Sequence, residues 1–258
     1  PRKLNDRRNK LYLSVIKYIQ NVKPKAFLIE NVRGMASLYN GRVMENIKDE
    51  LASLGYIVET KILNAKNYGV PQSRERLFYV GMKDKKFKFP DPLFSDDETI
   101  TCGDAISDLP SLENTDVVDK YDLEAQSLYQ NLIRANTKII HNHVTTKHTA
   151  HVVDVIKQVP EGGNHRDLPE GVGTSRKFNE AWTRYHRNKP SRTIDTGHRN
   201  HFHYVYNRVP TVRENCRLQS FPDSFIIIGT KTSQNRQVGN AVPVLLAKIL
   251  AEKINEQL

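Results

Sequence analysis

The chain has 258 residues, of which 38% are hydrophobic and 26% charged; this is the balance of a soluble globular protein of one or two domains and argues against disorder on a large scale. Lysine and arginine outnumber the acids 39 to 29, a net charge of +10, which suits a polyanionic partner and says nothing about fold. There is no apolar run of roughly 18 residues and no export signal, so neither a membrane span nor secretion is indicated, and the two cysteines, Cys102 and Cys216, make no metal-ligand spacing and point to reduced thiols in a cytoplasmic setting.

Taken in chain order, Leu11, Val15, Ile16, Ile19 and Val22 fall at helical spacing and Pro24 stops them, so a helix is followed by a strand over Ala26–Ile29. That strand gives way to a carboxylate and a carboxamide, Glu30 and Asn31, in "FLIENVRGM". Val43, Met44, Ile47, Leu51 and Leu54 repeat the helical spacing, Gly55 supplies a stop, and "YIVETKIL" alternates as a strand. After the loop "NAKNYGVPQS" comes a further strand, "RLFYVGM". The alternation predicts an open α/β sheet, in which ligands sit beyond the carboxyl ends of the strands, where Glu30 and Asn31 lie.

From about Lys83 the chain becomes charged, proline-marked and irregular. The expected organisation is a sheet-bearing domain over 1–95, a less regular domain over 96–212, and a return to the first domain over 213–258. His141, His143, His148 and His151 have no supporting cysteine or carboxylate pattern, so loop histidines or phosphate contacts are expected rather than a metal site. The stretch "NAVPVLLAKILAEKI" predicts a closing helix with Asn240 as its N-cap and Pro243 in its first turn.

Four short elements carry polar groups at constrained positions, and each alone has a structural reading. "ENV" puts an acid after a strand, where a helix cap is common. "QSRER" sets Arg74 and Arg76 on alternate positions entering a strand, so both can share a face with Glu75 turned away, or form an exposed ion-paired edge. "RENCRLQSFPDSF" combines Arg213, Glu214, Arg217 and Gln219 with the apolar anchors Leu218 and Phe221, and "QVGNAVP" sets a glycine and an amide before a helix.

In this order, with a long irregular segment between the second and third, "FLIENVRGM", "NYGVPQSRERLFYVG", "RVPTVRENCRLQSFPDSF" and "RQVGNAVPVLLA" resemble the later motifs of the bacterial cytosine-5 DNA methyltransferases of restriction-modification systems. The resemblance runs from about Asp6 to the end. It implies an α/β, Rossmann-like, S-adenosylmethionine-dependent catalytic domain, an inserted target-recognition domain, and duplex DNA from which a cytosine is extruded.

By the same resemblance, Glu30 faces ring nitrogen N3 of the extruded base, where holding or donating a proton stabilises charge as a thiolate adds to C6. A free glutamate ionises near pH ~4.3, so the pocket is expected to raise its proton affinity by desolvation. Asn31 is its expected positioning partner, and Arg74 and Arg76 are expected to face the base oxygen and nearby backbone, where planar guanidinium forks suit such acceptors. Asn240, Ala241 and Val242 line the methionine end of the cofactor, and Arg213, Glu214, Arg217 and Gln219 form a structural motif. In the irregular segment Asn164, Arg166, Arg184, Arg187 and Arg192 are of types suited to base edges and phosphates, although the target sequence is not readable from them.

The family's proline-cysteine nucleophile motif and glycine-rich cofactor loop are not among these residues. Cys102, in "TCGDAISDLP", and Cys216, a small buried thiol in "RENCRLQ", are not assigned that role. "RKLNDRRNKLY" resembles the family's sequence just beyond its cysteine loop, so the expectation is a carboxyl-terminal portion, inactive until an amino-terminal half is supplied as a fused segment or separate subunit. A non-catalytic DNA-binding module would leave Glu30 without a purpose, and an RNA-directed enzyme of the same chemistry would not need the bulky segment between the arginine motif and "RENCRLQ".

Overall fold

Helix α1 (Leu11–Val22) opens the computed structural model, which describes residues 11–172, 181–197 and 200–258. The basic opening at residues 1–10, the end of "VPEGGNHRDLPEGVG" and the start of "FNEAWTRY" fall outside the described residues. Two compact units emerge, one formed by 1–64, 75–91 and 248–258 and the other by 65–74 and 92–247.

In the first unit α1 buries Ile19, with Tyr12 and Ile16 partly covered, and leaves Val15 and Val22 exposed. Strand β1 (Ala26–Val32), helix α2 (Arg42–Ala52), strand β2 (Ile57–Asn64) and strand β3 (Glu75–Met82) come next. The sheet order is β1-β3-β2, and β3 runs antiparallel to both neighbours. β1 and β2 therefore point the same way, joined over α2, with β3 filling the slot between them.

β3 is buried continuously from Leu77 to Met82 because both of its faces are covered. Leu77 and Tyr79 join Phe27, Val58, Ile47 and Leu51 in one core, while Val80 and Met82 pack with Phe87 and Ile254 in another. Phe27 lies over its register partner Gly81, where an added Cβ would stand 2.2 Å from the ring. The predicted strand at 26–29 extends to Val32, because the pairing continues through Glu30↔Phe78, Asn31↔Leu77 and Val32↔Arg76. Glu30 and Asn31 are thus held on the strand itself.

The second unit is irregular. It contains helices α3 (Cys102–Ile106), α4 (Leu128–Arg134) and α5 (Ala150–Gln158), a two-residue parallel pairing of β4 (Thr183–Arg184) with β5 (His201–Phe202), and helices α6 (Val212–Leu218) and α7 (Lys231–Asn240). Helix α8 (Val244–Asn255) begins in this unit and ends in the first. The core of the second unit joins Cys102, Ile106, Tyr129, Ile133, Tyr185, Ile194 and Leu218.

Two expectations are corrected here. Residues 213–247 belong to the second unit and only 248–258 rejoin the first, because α6 packs against α3 and the loops beyond it through Leu218 and its charged side chains. Asn240 is the last residue of α7, not the N-cap of the closing helix, which starts at Val244. Gly239 also lies within α7, where a Cβ would stand 2.9 Å from the Asp195 carbonyl oxygen.

Candidate active site

In the first unit, Glu30 on β1 and Arg76 on β3 form an ion pair, with Nε 2.9 Å from Oε1. The Glu30 side chain is 24% exposed and that of Arg76 13%, so the carboxylate remains reachable while the guanidinium is mostly covered. Arg76 also donates from Nη1 to the Glu75 carbonyl at 2.8 Å. Burial lowers the pKa of Arg76 from its ordinary value, and Glu30 opposes that shift. Asn31 is not beside Glu30: successive strand residues face opposite sides, and the Asn31 carboxamide oxygen accepts the Val32 amide at 2.9 Å. The charged group that engages Glu30 is Arg76.

In the second unit Arg74 is 1% exposed. Its Nη2 donates to the carbonyls of Gly239 at 2.9 Å and Ala241 at 3.1 Å. Arg74 thus holds the backbone of the "GNAV" segment. Gln219 reinforces the same backbone, donating from Nε2 to Val238 O at 2.8 Å and Ala241 O at 3.1 Å. Asn240 is exposed at the end of α7, and Ala241 and Val242 are half-buried in the link to α8.

Arg213, Glu214 and Arg217 on α6 and Gln219 at its C-cap are all buried. Thr211 and Glu214 make its capping box. Glu214 also receives a two-pronged pair from Arg208 at 2.7 and 2.8 Å, and although burial pushes its carboxyl up, Arg208 holds it well below the usual carboxylate range. Arg213 donates to the carbonyls of His141, Pro222 and Phe225. Arg217 forks onto Asp223 at 3.0 and 2.7 Å and also pairs with Asp108. Burial lowers the pKa of Arg217 but these two carboxylates more than offset it, so the net shift is upward. His203 faces Glu214 at 3.7 Å, and burial pulls its imidazole down to about 3. These groups satisfy one another in the interior, consistent with a scaffold rather than a reacting centre.

The expected recognition residues separate. Arg184 is buried, and its guanidinium donates to the carbonyls of Ile156, Val159 and His203 and to Asn207 Oδ1. It thus clamps the end of α5 to the loop at 203–207. Asn164 caps the 3-10 turn His165–Asp167 through Arg166 N at 2.9 Å, and Arg166 is exposed. Arg187 is exposed and forks onto Glu161. Arg192 is exposed and lines a cavity of about 340 Å³ with Ser73, Thr193, Asp195, Asn200 and His201.

Among the described residues no group of three or more histidines, cysteines or acids could hold a metal, and no helix is long and apolar enough to cross a membrane. His143 is buried between Thr211 Oγ1 and Pro110 O, and His148 Nε2 accepts the Val209 amide. Both cysteines are buried. Burial raises the Cys102 thiol far above its ordinary value and the Cys216 thiol to about 12, which keeps both as neutral thiols. Sequence reasoning gave no role to Gln72, Arg208, Asp108 and Asp223; Gln72, Arg208 and Asp223 lie inside the quoted motifs, whereas Asp108, which pairs with Arg134 and Arg217, lies outside them.

The family profile described as C-5 cytosine-specific DNA methylase matches residues 2–256. The type II methyltransferase M1.HphI of Haemophilus parahaemolyticus is 36% identical over 97% of this chain and 62% of its own length. M.DdeI of Desulfomicrobium norvegicum is 35% identical over 97% and 67%. The chain thus spans roughly three fifths to two thirds of these relatives. Among solved structures, a prophage-encoded E. coli protein named as a DNA modification methyltransferase superposes with a TM-score of 0.75 at 23% identity, over 97% of this chain and 74% of its own. The S. pombe Dnmt2 methyltransferase gives 0.55 at 17%, over 99% and 75%. Those two likenesses concern the fold, a Rossmann-like methyltransferase architecture of mixed α and β content. Because the profile spans nearly every residue, the chain belongs to the C-5 cytosine-specific DNA methylase family.

Proposed function

We propose that this chain supplies the proton-handling acid and the DNA-reading segment of a DNA cytosine-5 methyltransferase of the restriction-modification type, working in the bacterial cytoplasm. The substrate is a cytosine turned out of duplex DNA. S-adenosylmethionine, when bound, supplies an electrophilic methyl group. Glu30 meets ring nitrogen N3 and holds a proton there, so that the ring can accept electron density when a thiolate adds at C6. Arg76 engages Oε1 of Glu30 and leaves Oε2 for the ring nitrogen. The observation that supports this most is that ion pair, because it joins "ENV" to the arginine motif on adjacent strands and leaves the carboxylate accessible.

Asn240, Ala241 and Val242 hold the methionine end of the cofactor in this reading. They fit that task because the Asn240 carboxamide is exposed and the backbone around it is fixed by Arg74 and Gln219. The exposed Arg166, Arg187 and Arg192, with the half-buried Asn164, are the polar groups for phosphates and base edges. The nucleophile belongs to a segment outside these 258 residues, since both thiols here are buried and neutral.

Transfer of labelled methyl groups from S-adenosylmethionine to duplex DNA tests the division of labour. The 258 residues alone should transfer none, and adding an amino-terminal segment with the proline-cysteine loop should restore transfer. Robust activity of the chain alone, lost on Cys102→Ser or Cys216→Ser, would overturn the assignment.

A further inference from the structure

Two glutamine side chains in the second unit, Gln72 and Gln219, are both fully buried. Gln72 Oε1 accepts the Ile194 amide at 3.1 Å. Gln72 Nε2 donates to Gln219 Oε1 at 2.8 Å and to Leu218 O at 3.1 Å. Gln219 Nε2 in turn donates to Val238 O and Ala241 O at 2.8 and 3.1 Å. Donors and acceptors therefore run in one direction, from the backbone at Ile194 through two carboxamides to the backbone of "VGNA". The start of this relay is fixed to the arginine-motif loop as well: Ser73 N donates to Ser191 O at 2.8 Å, Ser191 N to Pro71 O at 3.0 Å, and Thr193 Oγ1 to Ser73 O at 2.9 Å.

We infer that Gln72 is a positioning residue that couples the Ser191–Asp195 segment to the cofactor segment Val238–Val242, so that DNA engaged at Arg192 sets the backbone that holds S-adenosylmethionine. The inference rests on the functional reading above. Its physical basis is that a buried amide cannot give up one hydrogen bond without leaving a partner unpaired in a low-dielectric interior. A displacement at Ile194 is therefore passed on or resisted, not absorbed. A second contact joins the same two segments independently of the glutamines. Gly239 lies so close to Asp195 that an added Cβ would sit 2.9 Å from its carbonyl oxygen. Arg192 and Asp195 line the cavity of about 340 Å³ on the outer side of the segment, so a ligand there acts on residues that abut both links.

The test uses the assembled enzyme, with S-adenosylhomocysteine as an unreactive probe titrated calorimetrically with and without sheared duplex DNA. DNA binding is followed separately by fluorescence anisotropy. In the unmutated enzyme DNA should tighten the probe by at least about fivefold, the lower end of ordinary coupling between sites. Gln72→Glu keeps the acceptor for Ile194 and removes the donor to Gln219, and should bring that ratio within about twofold of unity. A merely structural role would weaken both affinities and leave the ratio unchanged. If the buried carboxylate prevents folding, the paired variant Gln72→Met/Gln219→Met removes the carboxamide link without introducing a buried charge, leaves the Ile194 amide and the Leu218 carbonyl unpaired, and should also abolish the ratio. Retention of the coupling in either folded variant, or its absence in the unmutated enzyme, would overturn the relay. Failure of the unmutated enzyme to bind DNA would instead overturn the functional reading on which it rests.

Discussion

Arg76 Nε lies 2.9 Å from Glu30 Oε1, although the two are not register partners: Glu30 stands opposite Phe78, and Arg76 opposite Val32. They are diagonal neighbours on one face of an antiparallel pair, within reach of long side chains. This diagonal selects Arg76 rather than Asn31 as the group that orients the acid. Because both partners keep some contact with solvent, the pair should contribute only ~0–1 kcal/mol to stability. Arg76→Ala should therefore leave thermal unfolding almost unchanged while lowering methyl transfer by roughly 10²-fold, the scale for a misplaced acid. A rate within threefold of the unmutated enzyme would remove Arg76 from the account.

Arg217 is expected to act in the opposite sense. Its fork holds Asp223, and its remaining nitrogen pairs with Asp108, all within the interior. Arg217→Ala leaves Asp108 with Arg134 alone and Asp223 with the more distant Arg213 at 3.5 Å, and should cost about 3 kcal/mol, the lower end for a broken buried pair. Arg217→Lys should not rescue it, since an ammonium cannot reproduce the planar fork. Urea unfolding of the two variants checks both statements, and a Lys variant of unmutated stability would refute the fork argument.

Acid should destabilise the second unit in two stages. Burial holds His203 neutral down to about pH 3, whereas an unfolded histidine takes up a proton near pH ~6.5. The unfolded state thus binds more protons below ~6.5, and stability falls with pH from there. Glu214 is depressed in the folded state despite its burial, because of Arg208. Its contribution is fully present above the unfolded carboxylate value near ~4.3 and is lost as pH falls further. Melting temperature measured between pH 8 and 3 should show a decline beginning near 6.5, and His203→Gln should flatten that upper part. A melting temperature independent of pH between 7 and 5 would contradict it.

Gly239→Ala should act on the cofactor segment. The added methyl meets Asp195 O at 2.9 Å and Thr196 N at 3.1 Å, backbone atoms that cannot swing away. Overpacking of about 1–3 kcal/mol corresponds to roughly five- to 150-fold weaker cofactor binding in the assembled enzyme if it falls on that segment. Calorimetry with S-adenosylhomocysteine measures it directly, and unchanged affinity would show that the segment does not bear on the cofactor.

The three strands were legible because β2 and β3 carry alternating or continuous apolar residues at strand length, and β1 begins with four. Its last three positions were not, since Glu30, Asn31 and Val32 are held by the β3 ladder and not by their own pattern. Helix α7 was invisible for a related reason. Its buried positions are Asn235, Val238 and Gly239, which offer no apolar periodicity, so Asn240 looked like the start of the next helix. Arg184 was set among the DNA contacts because an arginine in an irregular stretch looks solvent-directed, and Arg74 was set beside Arg76 because alternate positions entering a strand share a face. Their acceptors are carbonyls as far off in sequence as Ala241, which only the folded chain brings to them. Arg213, Glu214, Arg217 and Gln219, by contrast, were recognisable as a set from resemblance; their partners Arg208 and Asp223 lay in the same quoted stretch without being singled out, and Asp108 lay outside it.

The central claim is that Glu30 handles a proton at the base. Glu30→Gln keeps the size of the side chain and removes its acid–base function. Single-turnover methyl transfer to duplex DNA, measured in the reconstituted enzyme beside DNA affinity, isolates that change. The chemical step should slow by roughly 10²-fold or more while DNA affinity stays within about twofold. An unaltered chemical step in a folded, DNA-binding Glu30→Gln enzyme would contradict the account.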